Sequence, residues 1–570
     1  MIGRRIILPS ALLLLLFAGS ASGASASTPD DPTQGRVGGI AVAEGEVAIR
    51  GPASGRAGGD SRSGAWSEAG KNDPVASGMS LRTAAAARAV LRVGANLVAF
   101  SDGSEADIVR LDAAGMGIAL RRGRLGVRLS EFDAGSEAEI MIPGGALRLS
   151  APGEYDILAG DAKSPARVAV YAGEARFSGK RLDAVVASGG AVLLTGNDPF
   201  AILPGSTDED AFGEWWRAQQ RAPAEAPALR HVSAAVTGHE MLDEHGAWES
   251  AAGLGAVWFP KDLPQDWAPY RYGRWRWIGA WGWIWIDDMP WGFATSHFGR
   301  WAQVGGSDAK AGRWGWVPGE RVDEPVFMPA AVAFLGTAGV GLSYPDAFSP
   351  AVAWFPLAPG EIYWPSFTDD PDAIRRLNTG TVADLVAIGA ALKGDPPAHI
   401  VTGEYRNRRH ASVVPRPVFV GGKPIADSVI DLPARRLENA PLLAGSPGIE
   451  PKGASSPTGA AIVSAGSGAA ANVAKARDTL SRIIKWREQR KRAVEPAVSR
   501  KPVPNTPAVE KRKAKPRAIG RKNGTAPTQR AATRVRSKTV PKARVREAGS
   551  GGKLGKSRAA ELSRRDVGGG

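Results

Sequence analysis

Eleven of the 18 tryptophans in this 570-residue chain fall between Trp258 and Trp316. Each buried aromatic covers roughly 150–250 Å², so a short stretch this rich in indoles can close a core around itself. The order of the rings says which kind of core. In Arg274-Trp-Arg-Trp277 and Trp281-Gly-Trp-Ile-Trp285 they recur at every second residue. That period puts them on one face of a strand. A short unit also repeats, as Tyr272-Gly-Arg-Trp275, Phe298-Gly-Arg-Trp301 and Gly312-Arg-Trp314. The pattern predicts a small antiparallel meander of hairpins, with turns near Ala280 and at Asp287-Asp-Met-Pro290. Arg before Trp predicts guanidinium stacking on an indole across the strand pair, worth roughly 0.5–2 kcal/mol. The rings have two uses open to them. They form the core, or some of them line an exposed platform for the apolar faces of sugar rings. Trp275, Trp277, Trp283 and Trp285 are the candidates for such a platform.

The chain has no cysteine, which excludes disulfides, a thiol nucleophile and Cys-based metal or iron–sulfur sites. Its 71 Gly and 42 Pro are about a fifth of the residues, which argues for turn-rich β structure and against a helical bundle. The net charge of +15 conceals two unlike parts. Residues 471–570 hold 29 Lys and Arg against 7 Asp and Glu, while the preceding 470 residues are net acidic. An asymmetry of this kind points to a polyanionic partner for the tail and not for the body.

Met1-Ile-Gly-Arg-Arg5, an apolar run from Ile6 to Ala18 and the small residues Ala24-Ser-Ala26 read as a secretory signal peptide over 1–26. The chain is therefore expected in the periplasm or outside the cell. Arg36–Arg50 reads as a hairpin about Glu44-Gly-Glu46, and residues 51–73 as loop. From about Ser80 to Gly196, runs of five to seven residues recur between Gly, Pro and Asp, as in a β-sandwich or a roll of stacked strands. Only the Ala-rich Thr83–Ala89 offers a helix in this part. Arg122-Gly-Arg-Leu-Gly-Val-Arg128, Glu139-Ile-Met-Ile-Pro143, Pro152-Gly-Glu-Tyr-Asp-Ile157, Arg167–Arg176 and Ala187–Val192 follow one another in the order and spacing of a FecR-like domain. Residues 36–200 resemble that family. The resemblance implies a β-roll and a periplasmic sensing or regulatory module with an envelope protein as partner.

Residues 207–221 read as a linker helix capped by Thr207, with Phe212, Trp215 and Trp216 docking it on a neighbouring domain. Gly238–Trp248, Trp267–Trp275, Gly315-Trp-Val-Pro-Gly319, Ala353–Glu361 and Val413–Pro424 carry a second resemblance. Residues 230–430 are similar to an uncharacterised Trp-rich domain that follows FecR-like domains in some exported proteobacterial proteins. That resemblance implies no activity. The fold expected is thus mainly β: a FecR-like roll or sandwich, a Trp-rich antiparallel domain and a disordered basic tail.

Signals for catalysis are sparse. His239-Glu240 is followed by His245, a spacing that does not share a helix face, so metalloprotease geometry fails. The six histidines are expected on the surface. Asp287-Asp288 and Asp369-Asp370 are adjacent carboxylates, which on a strand point to opposite faces. No nucleophile elbow, phosphate loop or dinucleotide fingerprint occurs. The chain is expected to be no enzyme and to carry no cofactor or metal, with an envelope hydrolase as the weakest alternative. Residues 432–468 form a Pro/Gly/Ala-rich linker. Residues 469–492 have the spacing of a basic amphipathic helix, and 493–570 the composition of disorder. Lys511, Arg512, Lys513, Lys515 and Arg517 are the densest basic cluster there. In an exported chain their expected partner is anionic lipid, lipopolysaccharide or cell-wall polymer, and the export signal argues against nucleic acid.

Overall fold

The computed structural model describes residues 33–51, 65–130, 137–161, 163–179, 182–195, 201–220, 226–305, 312–342, 350–382, 405–443 and 445–451. All of them belong to one compact unit, Met1–Glu495. The signal peptide, the amphipathic helix and the basic tail expected from the sequence lie outside the described residues.

Between Gly38 and Pro204 short strands build two nine-stranded sheets that face each other. Alternation does the sorting. In Glu137–Ile142 every second side chain turns inward, and in Glu105–Asp112 the same alternation is interrupted by a bulge between Ile108 and Arg110; Ile108, Ile118, Ile140, Leu147 and Phe177 meet inside with no accessible surface. The chain moves repeatedly from one sheet to the other. The Arg88–Val93 and Asn96–Phe100 strands pair in one sheet, and Glu105–Asp112 and Gly115–Arg122 pair in the other. Arg124–Leu129 then returns to the first. Gly123 makes that return possible. Its φ is +84°, and a β-carbon there would stand 2.4 Å from Ser104. Pairing between strands is antiparallel except where Glu137–Met141 runs parallel to Gly115–Ala119.

Two expectations fail in this module. Gly38–Glu44 and Val47–Arg50 are strands, but they pair in different sheets and not with each other. Gly45, at φ +75°, turns the chain across the sandwich instead of back along one sheet. The Ala-rich Thr83–Ala89 is no helix. It ends one strand and makes a turn, with Ala86 at φ +58°.

The linker helix is shorter than expected, Ala211–Ala218, and its cap is Asp210 rather than Thr207. The Asp210 carboxylate accepts from the Gly213 amide at 2.9 Å. Trp216 is wholly buried against Val90, Leu97 and Ala99 on the outer face of the roll. The ring lies flat enough on the sheet that Gly126 has no room for a side chain, since a β-carbon would come within 2.6 Å of it.

The second module contains two four-stranded antiparallel sheets and a separate hairpin. The hairpin pairs Gly273–Ile278 with Gly282–Asp287 across a turn at Gly279–Trp281. The three repeated units therefore do not form one meander. The second and third pair with each other, Trp301 opposite Trp316, in the sheet that also holds Gly255–Pro260. The first stands alone in the hairpin. One aromatic core joins these pieces, and it extends beyond residue 430 to Leu437 and Ile449.

Candidate binding cleft

The period-two rings do share one face of the hairpin. Trp275 lies opposite Trp285, and Trp277 opposite Trp283. That face is not a platform. Phe419 covers it, with its ring 4.5 Å from that of Trp283 and 5.4 Å from that of Trp275, and Phe334 and Trp354 pack beside it. Trp275, Trp283 and Trp285 are all buried, which corrects the expectation of an open surface. Nine of the eleven clustered tryptophans are buried, and Trp277 and Trp314 are half-buried. Burial also demands partners for the indole N–H groups. Trp258 donates to the Leu242 carbonyl, Trp283 to Ile449, Trp301 to Thr295, Trp316 to Phe298 and Trp354 to Tyr270, at 2.6–3.1 Å.

The arginines of the repeats do not stack on indoles as expected. Arg313 lies over Phe259, 3.6 Å from the ring centre, and pairs with Glu249. Arg300 is buried and donates to the Gly299 carbonyl at 2.9 Å and the Asn378 amide oxygen at 3.0 Å, and burial lowers its pKa to about 10. Arg276 and Arg274 reach instead into the first module. Arg276 donates to Asp73 at 2.6 Å, to the Ser67 hydroxyl and to the Glu68 carbonyl. Arg274 donates to the other Asp73 oxygen at a longer 3.4 Å. Asp73 itself is wholly buried, so this is an ionic clasp between the modules. Beside it Asn72, at φ +65°, donates to the carbonyls of Asp287 and Met289 at 2.8 Å each. Arg92 pairs with Glu240 at 2.9 Å further along the same junction.

Next to the clasp is a cleft of about 560 Å³. One wall is Glu68, Ala69 and Gly70 of the first module. The other is Arg274, Trp275, Arg276, Trp277 and Trp283, closed off by Val420–Gly422 and Pro451. Three of the four expected platform residues thus line this cleft, and Trp285 does not. The five basic tail residues from Lys511 to Arg517 lie outside the described residues. A second cleft, of about 380 Å³, lies between Thr33–Arg36 and residues 318–328 and collects none of the candidate residues.

The titratable groups singled out for chemistry have structural positions. Asp287 is not a turn residue in water but a buried strand end. Its carboxylate accepts from the Trp285 indole, the Met289 amide and the Ser296 hydroxyl at 2.8–3.2 Å. Burial pushes its pKa up to about 7. His297 and His239 are buried, against the expectation of surface histidines. The His297 ring meets the Met328 carbonyl at 2.7 Å and stacks on Phe327, and burial pushes its pKa down to about 4. His231, His245 and His410 are half-buried, and His399 lies outside the described residues. Asp370 caps the Pro371–Asn378 helix. Among the described residues, no group of three or more His, Asp or Glu side chains could hold a metal, and no helix is long and apolar enough to cross a membrane.

Asn72 and Asp73 lie in a stretch that reads as plain loop, yet they join the modules. The signal available was Asn-Asp-Pro at 72–74, a turn chemistry that tolerates positive φ. Nothing local tells that Arg276 waits for it.

Two crystal structures of a candidate anti-sigma factor from Parabacteroides distasonis are similar at 10% and 11% identity, each with a TM-score of 0.22. Each match covers 24% of this chain and 64% or 63% of the other, under two thirds of its length. No functionally curated protein matches the chain. Residues 239–361, which contain the whole tryptophan hairpin, match a family of unknown function, DUF6600.

Proposed function

We propose that this is an exported, non-enzymatic protein of the cell envelope: an interaction or scaffold protein with a FecR-like sensing module and a polyanion-binding basic tail. The observation that carries this reading is the junction. A buried Asp73 clasped by Arg274 and Arg276, with Asn72 bound to the turn after the hairpin, presents two β modules as a single surface with a cleft between them. Such an arrangement suits holding a partner. Asp287, His297 and Arg300, three of the groups whose pKa values burial shifts most, are engaged in internal hydrogen bonds and do not line the cleft, which favours recognition over turnover. The partner of the first module is an envelope protein. The partner of Lys511, Arg512, Lys513, Lys515 and Arg517 is anionic lipid, lipopolysaccharide or cell-wall polymer, held by charge.

The test uses the full chain and a form ending at residue 470. The full chain is expected in the envelope or extracytoplasmic fraction and to sediment with phosphatidylglycerol vesicles in a salt-sensitive way, and the shortened form to lose that sedimentation. Retention in the cytoplasm, or equal and salt-independent sedimentation of both forms, sinks the reading.

A further inference from the structure

We infer that the cleft beside the clasp is a binding site for a pyranose that carries a carboxylate. The inference rests on the envelope-interaction reading and narrows it to one ligand chemistry. The volume of about 560 Å³ is within the range of small-molecule sites, about 300–1,000 Å³. The cleft combines an aromatic wall that carries Arg274 and Arg276 with an opposite wall that carries Glu68. Trp277 is half-buried there, and its indole N–H has no hydrogen-bond partner among the described residues. The N–H of Trp275, a residue 1% exposed, is likewise without a partner. Trp283, on the same wall, donates to the Ile449 carbonyl, and the indoles of Trp216, Trp248 and Trp281, which do not line the cleft, are also without partners among the described residues. The N–H groups of Trp275 and Trp277 are themselves buried, so what the cleft offers a ligand is the half-buried Trp277 ring.

The two arginines divide the work. Arg276 spends its guanidinium on Asp73, Ser67 and Glu68 and is held in place. Arg274 makes one long hydrogen bond at 3.4 Å, stands 4.0 Å from Asp288 and keeps about a third of its side chain exposed at the cleft. It retains donors for an anion, and a carboxylate matches its fork. On the opposite wall Ala69, Gly70 and Gly421-Gly422 leave space rather than fill it, and Glu68 adds one carboxylate that can accept from a hydroxyl. An apolar ring, one acceptor carboxylate at Glu68 and one spare guanidinium at Arg274 complement a ligand with an apolar C–H face, hydroxyl groups and one carboxylate. A sugar acid has all three. Uronates of a polysaccharide and the lactyl carboxylate of a muramyl sugar share this chemistry.

Tryptophan fluorescence and calorimetric titration of the full chain test it, with trigalacturonate, a muramyl disaccharide and neutral galactotriose as probes. At least one acidic sugar is expected to bind clearly more tightly than galactotriose, and which one does so identifies the source. Arg274→Gln should weaken that binding about tenfold or more, the loss of one charge-assisted pair. Gly70→Phe should abolish it by filling the cleft from the far wall. An added β-carbon at Gly70 meets no atom within 4 Å, so the fold is expected to survive, checked by an unchanged melting temperature. Three results overturn the inference: no acidic sugar binds the parent chain, galactotriose or inorganic phosphate binds as well, or acidic-sugar binding persists in a folded Gly70→Phe variant. None of these touches the envelope reading, which fractionation and vesicle sedimentation decide separately.

Discussion

In the roll, a side chain reaches the core because its strand alternates. In the second module it reaches the core because an indole fills a gap between irregular pieces. The first core is almost wholly aliphatic, and the buried carboxylate of Asp156, between two core residues on the other face of its strand, is matched by Arg124 at 2.6 Å and Arg167 at 3.6 Å. The second core has to provide for polar atoms throughout: indole N–H groups, Asp287, His297, Arg300 and the amide of Asn378, which binds the Tyr363 and Ile374 carbonyls. Aliphatic packing is non-directional and tolerates small change, whereas an indole tied to one carbonyl does not. The difference predicts a forgiving module and a brittle one in the same chain.

The largest expected effect comes from Trp285→Ala. It removes a wholly buried ring and one donor to Asp287, and should cost about 3–5 kcal/mol in chemical denaturation. A loss under about 1 kcal/mol would mean that the aromatic core collapses around the gap, and the contrast with the roll would be lost. Next is the clasp. Asp73→Asn leaves two arginines facing a neutral amide at a buried site, and about 3 kcal/mol should be lost. Calorimetry should then resolve two transitions in place of one. A single unshifted transition would show that the modules are coupled elsewhere, for instance through Arg92 and Glu240.

The pH dependence comes third. Asp287 titrates near 7 when folded and near 4 when unfolded, so the folded state keeps a proton that the unfolded state releases. Its contribution to stability falls as pH rises from about 4 to about 7. His297 titrates near 4 when folded and near 6.5 when unfolded, so its contribution falls as pH drops from about 6.5 to about 4. Between those limits the two oppose each other. Asp287→Asn should uncover the histidine, adding a slope of about 1.4 kcal/mol per pH unit, with stability rising with pH relative to the parent. Parallel pH profiles for the two proteins would refute this. The smallest effect is expected in the roll, where Ile118→Val should cost only about 1 kcal/mol. A larger loss would make the roll as brittle as its neighbour.

The same contrast explains what could be read from the sequence. Alternation is a local signal, and the strands of the roll stand where the runs of five to seven residues predict them. Which sheet each strand joins is not local. Gly45 supplies a turn, and that turn serves a hairpin and a crossing equally well. The repeated Arg-Trp units teach this most directly. Their neighbours along the chain are alike, yet Arg274 faces the cleft, Arg300 is buried and Arg313 is exposed. Their fates follow from Asp73, Asn378 and Glu249, at sequence separations of 201, 78 and 64 residues. Period two placed the hairpin rings on one face correctly. It carried no information about Phe419, which covers that face. The cleft itself was legible only as a list of candidate tryptophans, because its other wall comes from a stretch that reads as featureless loop.

The clasp has a consequence for the order of assembly. Strands of the roll pair largely with near neighbours in sequence, so each addition closes only a short loop of chain. Asn72 and Asp73 are presented early in the chain, but their partners lie 201 to 217 residues later. Until the hairpin has formed, Asp73 has neither of its guanidiniums and sits in water. The clasp therefore closes only where both the roll's loop and the hairpin have taken their folded shapes, which ties the two halves of the chain together at one corner.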